Sequence, residues 1–219
     1  MYGQALVTPQ LLTTIMNLGS SQFCKGARRC TCTRLLEGTS CSVTCLGVTI
    51  DSELTFAQHI KRVAVKCFHQ LRQLWTVRRA LSVDNTKKLV HVLVSSRVDY
   101  CNSVLYHVAT IRLRPLQSVI NAAAGLIVKK RKFDHIRMTI RDELHWLPVE
   151  QRLLHKQCLL MYKCQCHLAP SYLSLMCMPL STDITRRHLC SVARGDLIAP
   201  RTKTVRYGPR SFAVSGPSS

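Results

Sequence analysis

KKLVHVLVSSRVDYCNSVLYHVATIRLRPLQSVINAAAGLIV, running from Lys87 to Val128, is the stretch whose reading decides the fold. In its first half Leu89, Val92, Leu93, Ser96 and Val98 recur at the three-to-four spacing of a helix, and Asp99, Tyr100 and Asn102 interrupt the stripe. A buried or half-buried carboxylate is expected at that break, held by backbone groups or by Arg97. In the second half Leu113, Leu116, Val119, Ile120, Ala123, Ala124 and Ile127 continue the period. Pro115 is expected near the helix start, where its missing N–H costs nothing. The small run Ala122–Gly125 lets another helix approach closely. Two apolar helices with one break between them make a core, so these side chains are expected to be structural rather than catalytic.

Upstream, Ser82 reads as an N-cap, with Asp84 favourably placed in the first turn. Before it, Phe56 to Arg79 reads as a long amphipathic helix with Ile60, Val63, Cys67, Leu71 and Leu74 on one face. Lys61, Arg62, Lys66, His69, Arg72, Arg78 and Arg79 crowd the remainder, and no acid follows Glu53 to neutralise them. LGVTI, at residues 46–50, is a short β-branched run closed by the turn or cap signal Asp51–Ser52. Residues 1–44 carry one acid, Glu37, and no steady period, and are expected to be an unstructured leader. Their cysteines, with Cys45, follow a C-x5-C-x-C-x8-C-x3-C spacing that has no CxxC pair and is no zinc signature.

Downstream, Lys129, Lys130, Arg131 and Lys132 place four cations in a row at a helix C-terminus. The helix dipole rationalises them, and a phosphate contact is the sharper alternative, because cations packed this closely repel one another without a polyanion. Ile136–Leu144 reads as a short helix, and His145–Pro148 as a turn whose Trp146 plugs the core. Val149–Gln165 reads as a helix carrying Leu153, Leu154, Cys158, Leu159, Met161 and Tyr162, and a last short helix starts at Ala169–Tyr172. Cys158, Cys164, Cys166 and His167 do not match a metal-site spacing. From Thr182 the chain is basic and loop-like.

The totals narrow the function. In 219 residues, 31 Lys and Arg stand against 11 Asp and Glu, a formal charge of +20 and a pI near 10.0. Such a chain attracts polyanions, and a phosphate backbone is the commonest of these. Aromatic residues make up only 6%, which favours gripping backbones over stacking many bases. There are twelve cysteines but no signal-peptide pattern, so reduced thiols in an intracellular protein, nuclear or cytoplasmic, are expected. No apolar run is long enough to span a bilayer, and no membrane partner is expected.

Six blocks carry a resemblance: LGVTIDSELTFAQHI, LVHVLVSSRVDYCNSVLY, LQSVINAAAGLIV with its basic run and FDHI, LHWLPVEQRL, YKCQCHLAPSYLS, and APRTKTVRYGPRSFAVSGPSS. In this order they resemble the C-terminal part of reverse transcriptases from non-LTR (LINE-type) retrotransposons, over about residues 45–219. The resemblance implies the thumb and helical connector that follow the catalytic palm and hold the template–primer duplex. The fold it implies is mostly α, a thumb/connector-type bundle with one short β segment near 46–50 and irregular tails. A helical domain is expected over 45–180, with a basic irregular tail over 181–219. The family's tail continues into a Trp–Asn motif, so the chain is expected to be a fragment.

A polymerase of this class needs paired carboxylates to hold two metal ions. The sequence has no Asp–Asp dipeptide, and Asp142–Glu143 lies in a helical, basic context. No phosphate-binding loop or nucleophile constellation replaces them. The expectation is a non-enzymatic module, without cofactor or metal, that binds RNA or an RNA–DNA hybrid through phosphate contacts. Its candidate contacts are Lys61, Arg62, Lys66, Arg72, Arg78, Arg79, Lys129, Lys130, Arg131 and Lys132. Two rival expectations are a translated relic with no biochemical role, whose LGVTI segment lacks a strand partner, and a subunit of an RNA-directed DNA polymerase whose palm lies on another chain.

Overall fold

The β-branched run near residue 48 does find a partner. In a computed structural model of the chain, which describes residues 31–33, 42–130, 135–180, 196–202 and 208–217, β2 (Ser42–Cys45) pairs antiparallel with β3 (Val48–Asp51). A third strand, β1 (Thr31–Thr33), lies along the other edge of β2. Cys45 faces Val48 in the register, so Leu46 and Gly47 are the two-residue turn and not the start of a strand. Both have positive φ, 46° and 83°, the twist that matches a tight hairpin. Glycine adopts it freely and Leu46 does not. The turn is held from outside, because Tyr100 Oη donates to Leu46 O at 2.8 Å and Arg62 Nη2 donates to Gly47 O at 2.7 Å. Thus strand residues 31–33 and 42–44 replace part of the expected leader, while 1–30 and 34–41 lie outside the described residues.

The described residues form two compact units, one within residues 27–153 and the other within 154–219. The division falls at residue 153, inside the range 45–180 that the sequence groups as one domain.

In the first unit, α1 (Ala57–Val77) begins after Asp51 has gathered the chain. The Asp51 carboxylate accepts the Phe56 N–H at 2.8 Å, the Thr55 N–H at 3.0 Å and the Thr55 hydroxyl. Burial raises its pKa, but these hydrogen bonds outweigh burial and hold it below the ordinary carboxylate value. Ile60, Ala64, Cys67, Leu71 and Leu74 form the buried stripe of α1. They pack on α4 (Thr110–Val128), whose Leu113, Leu116, Val119, Ile120, Ala123, Ala124 and Ile127 are all buried as the period predicts. Burying one such Leu or Ile side chain is worth about 1.5–3 kcal/mol. Pro115 stands six residues into α4, so its missing N–H removes a bond that the Ile111 carbonyl would otherwise accept.

The first half of the opening stretch differs in phase. It runs as α2 (Val83–Val90), a π-helical turn over His91–Ser95, and α3 (Ser96–Asp99). Ser82 caps α2 as expected, its hydroxyl accepting the Asn85 N–H at 3.2 Å. Thr86, Val90, Val94, Ser95 and Val98 are buried, whereas Val92, placed on the apolar stripe by the sequence, is exposed. A π turn carries more residues per turn and so rotates the buried face.

The break between α3 and α4 is real, with Asn102–Leu105 forming a 3₁₀ turn. Asp99 bonds neither backbone nor Arg97; its partner is Arg152, whose Nη1 lies 2.9 Å from Oδ2 and 3.2 Å from Oδ1. Arg152 also donates from Nε to Leu147 O at 2.8 Å and stands 5.9 Å from the Trp146 ring centroid. Trp146 is therefore half-buried under a guanidinium and does not plug the core. Because the Asp99 side chain is 40% exposed, this bridge is partly screened. Asp99→Ala is expected to destabilise by about 1 kcal/mol, an effect absent in an Arg152→Ala background; a double-mutant cycle in urea measures it.

α5 (Val149–Gln165) begins in the first unit, where the Val149 N–H donates to Gln117 Oε1 at 2.9 Å. In the second unit it buries Gln157, Leu160, Met161 and Cys164, while Leu154, Cys158, Leu159 and Tyr162, expected on its apolar face, are exposed. α6 (Ser171–Ser174) follows. Within the tail, α7 (Phe212–Ser215) is a short helix that buries Phe212 among Leu160, Met161, Cys164, Leu173 and Cys177. Ser215 Oγ accepts from Gln157 Nε2 at 3.0 Å. The burial that makes this cluster pushes the Cys177 thiol up to about 12, with Cys164 adding to the effect.

Candidate nucleic-acid interface

α1 carries no acid along its 21 residues. Its buried stripe faces α4, and Lys61, Lys66, His69 and Arg72 are exposed on the rest of the helix. Lys61 and Arg72 are eleven residues apart, which at 1.5 Å per residue is about 16 Å along almost the same line of the helix surface. Arg79, just beyond the helix end, is exposed as well. The cations of this surface are not neutralised by any acid on their own helix.

Three of the expected contacts have other duties. Arg78 is only 5% exposed. Its Nε donates to Leu126 O at 2.9 Å, its Nη2 to Ile127 O at 2.8 Å and its Nη1 to Leu81 O at 2.9 Å. It therefore caps the C-terminus of α4, where carbonyls have no intrahelical partner and the helix dipole favours a cation. Arg62 is half-buried and fastens the hairpin turn through Gly47 O. Lys130 is half-buried, donates to Thr139 Oγ1 and lies 3.9 Å from the Glu143 carboxylate. Glu143 belongs to a π-helical turn, Thr139–Glu143, within the segment expected as a short helix. Lys129 is exposed, in the left-handed conformation that ends α4. Arg131 and Lys132 lie outside the described residues.

The Arg78 bonds tie the C-terminal ends of α1 and α4 together. Among the described residues, the exposed members of the set are thus Lys61, Lys66, Arg72 and Arg79 with Lys129. The sequence contained a signal for the Arg78 exception: it lies four residues after Leu74 and seven after Leu71, on the buried stripe itself.

The other chemistry-bearing groups do not converge. Asp142 and Glu143 are exposed and lie 3.9 Å from Arg141 and Lys130 respectively. Cys164 is buried in the second unit, whereas Cys158, Cys166 and His167 are exposed. Among the described residues no three His, Cys, Asp or Glu side chains stand together as metal ligands, and no helix is long and apolar enough to cross a membrane. An open cavity of about 530 Å³ in the second unit is lined, among the described residues, by Cys158, Tyr162, Gln165 and Asp196 with apolar neighbours. Searched against protein-family models, curated proteins and solved structures, the chain finds no match in any of the three.

Proposed function

We propose that this protein binds nucleic acid through its phosphate backbone, as a thumb-type module of the non-LTR reverse-transcriptase kind, and that it does not polymerise by itself. The observation that carries the reading is the acid-free α1, with Lys61, Lys66, Arg72 and Arg79 exposed opposite a fully packed face. The ligand class is RNA or an RNA–DNA hybrid, because A-form duplexes are gripped by shape and phosphate contacts. The exposed cations act as point charges along the strand. Arg78, by contrast, supports the surface from beneath by tying α1 to the end of α4.

A binding titration over a range of salt tests this. If Lys61, Lys66, Arg72, Arg79 and Lys129 each neutralise a phosphate, log K falls against log salt with a slope of about −3.5 for single strands or about −4.5 for duplex. Arg72→Ala shallows the slope by about 1 and weakens binding regardless of sequence. A flat salt response overturns the proposal. Primer extension by the chain alone would overturn the non-enzymatic half of it.

A further inference from the structure

Trp75 is 60% exposed on α1, an unusual position for the residue that gains most from burial. The amphipathic period makes the exposure follow from its place, since Trp75 lies beside Leu74 but just off the buried stripe. On a helix, residues three and four apart are surface neighbours. Arg72 therefore stands one turn before Trp75, and Arg79 follows four residues on in sequence, just past the C-cap Arg78; both are exposed. No acid lies on α1. An exposed indole with one arginine a turn before it and another just past the helix end offers a π-face for a base and nearby charges for its phosphates.

We infer that Trp75 is a stacking platform for an unpaired base, so that α1 binds single-stranded RNA, or the single-stranded end of a duplex, more tightly than uninterrupted duplex. This inference rests on the backbone-binding reading and deepens it. A duplex keeps its bases stacked on each other and offers the indole none, whereas a single strand can turn one outward. The positive surroundings favour this ligand over a protein partner, whose docking on an exposed Trp asks for no polyanion.

The test uses the full chain with Trp146→Phe, so that Trp75 is the sole indole, and a short single-stranded RNA with a blunt RNA–DNA hybrid of the same length. Expected are quenching of Trp75 fluorescence by the single strand, and a loss of about tenfold to a hundredfold in single-strand affinity on Trp75→Ala at an unchanged salt slope. Trp75→Phe is expected to restore most of the affinity and Trp75→Leu little, because only an aromatic face stacks. Hybrid affinity should hardly change. If Trp75→Ala leaves single-strand affinity intact while the salt dependence persists, the stacking inference falls and the backbone reading stands. Equal losses for single strand and hybrid, or restoration by Trp75→Leu, also overturn it. Loss of all salt-dependent binding in the parent chain removes both.

Discussion

Replacing Arg78 by alanine is expected to destabilise the protein by about 3 kcal/mol, whereas Arg79→Ala should change stability by less than about 0.5 kcal/mol. The two arginines are neighbours with opposite surroundings. Arg78 makes three charge-assisted hydrogen bonds to carbonyls, and two of those carbonyls, on Leu126 and Ile127, belong to residues with 2% exposure or less. Truncation leaves these acceptors buried without a partner at the end of α4, and the helix also loses a cation from its negative pole. Arg78→Lys should recover only part of the loss, since one ammonium group cannot occupy the fork that spans Leu81, Leu126 and Ile127. Urea unfolding followed by circular dichroism gives the comparison. Equal midpoints for Arg78→Ala and Arg79→Ala would refute the assignment. In the salt titration the order reverses, with Arg79→Ala shallowing the slope and Arg78→Lys leaving it unchanged.

Acid is expected to weaken the fold in a window set by His59. This side chain sits 5% exposed on the buried side of α1, where its Nδ1 accepts the Thr49 N–H at 3.3 Å. That bond assigns the proton of the neutral ring to Nε2. Burial, with the nearby Arg62 charge adding to it, pushes the pKa down from 6.5 to about 4. Between those two values the unfolded chain binds a proton that the folded protein refuses. Stability therefore rises as pH rises from about 4 to about 6.5 and gains nothing further from this group above that. The shift corresponds to about 3 kcal/mol across the whole window. His59→Gln keeps an acceptor for Thr49 and removes the titration, so its stability should stay nearly level from pH 7 to pH 4.5 while the parent loses about 2 kcal/mol or more. Parallel pH profiles for the two proteins would refute the role of His59. Asp51 acts in the same direction but lower: its folded pKa is depressed, so its contribution is lost only as pH falls below the ordinary carboxylate value.

Much of this was legible in the residues alone. The stripe Leu113 to Ile127 in α4 is buried position for position, because a straight helix obeys one period and its apolar residues carry the phase. The cap at Ser82 and the gathering role of Asp51 are local chemistry, readable within a few residues of each helix start. The basic character of α1 is likewise a property of its own 21 residues.

Tertiary structure decided the rest, wherever a residue's role depends on a partner distant in sequence. The π turn at His91–Ser95 moved the buried face from Val92 to Val94 and Ser95, a shift that packing selects and a regular period does not contain. Asp99 found Arg152, 53 residues away, and drew it over Trp146. Ser42–Cys45 became a strand because Val48–Asp51 was there to pair with it, and a polar-looking tail folded because Phe212 met the apolar side of α5. Of the candidate contacts, sequence alone determined that the surface would be positive, since net charge needs no coordinates. Only the fold decided which cations remain free to meet a phosphate, because a guanidinium can satisfy buried carbonyls as readily as it binds a polyanion.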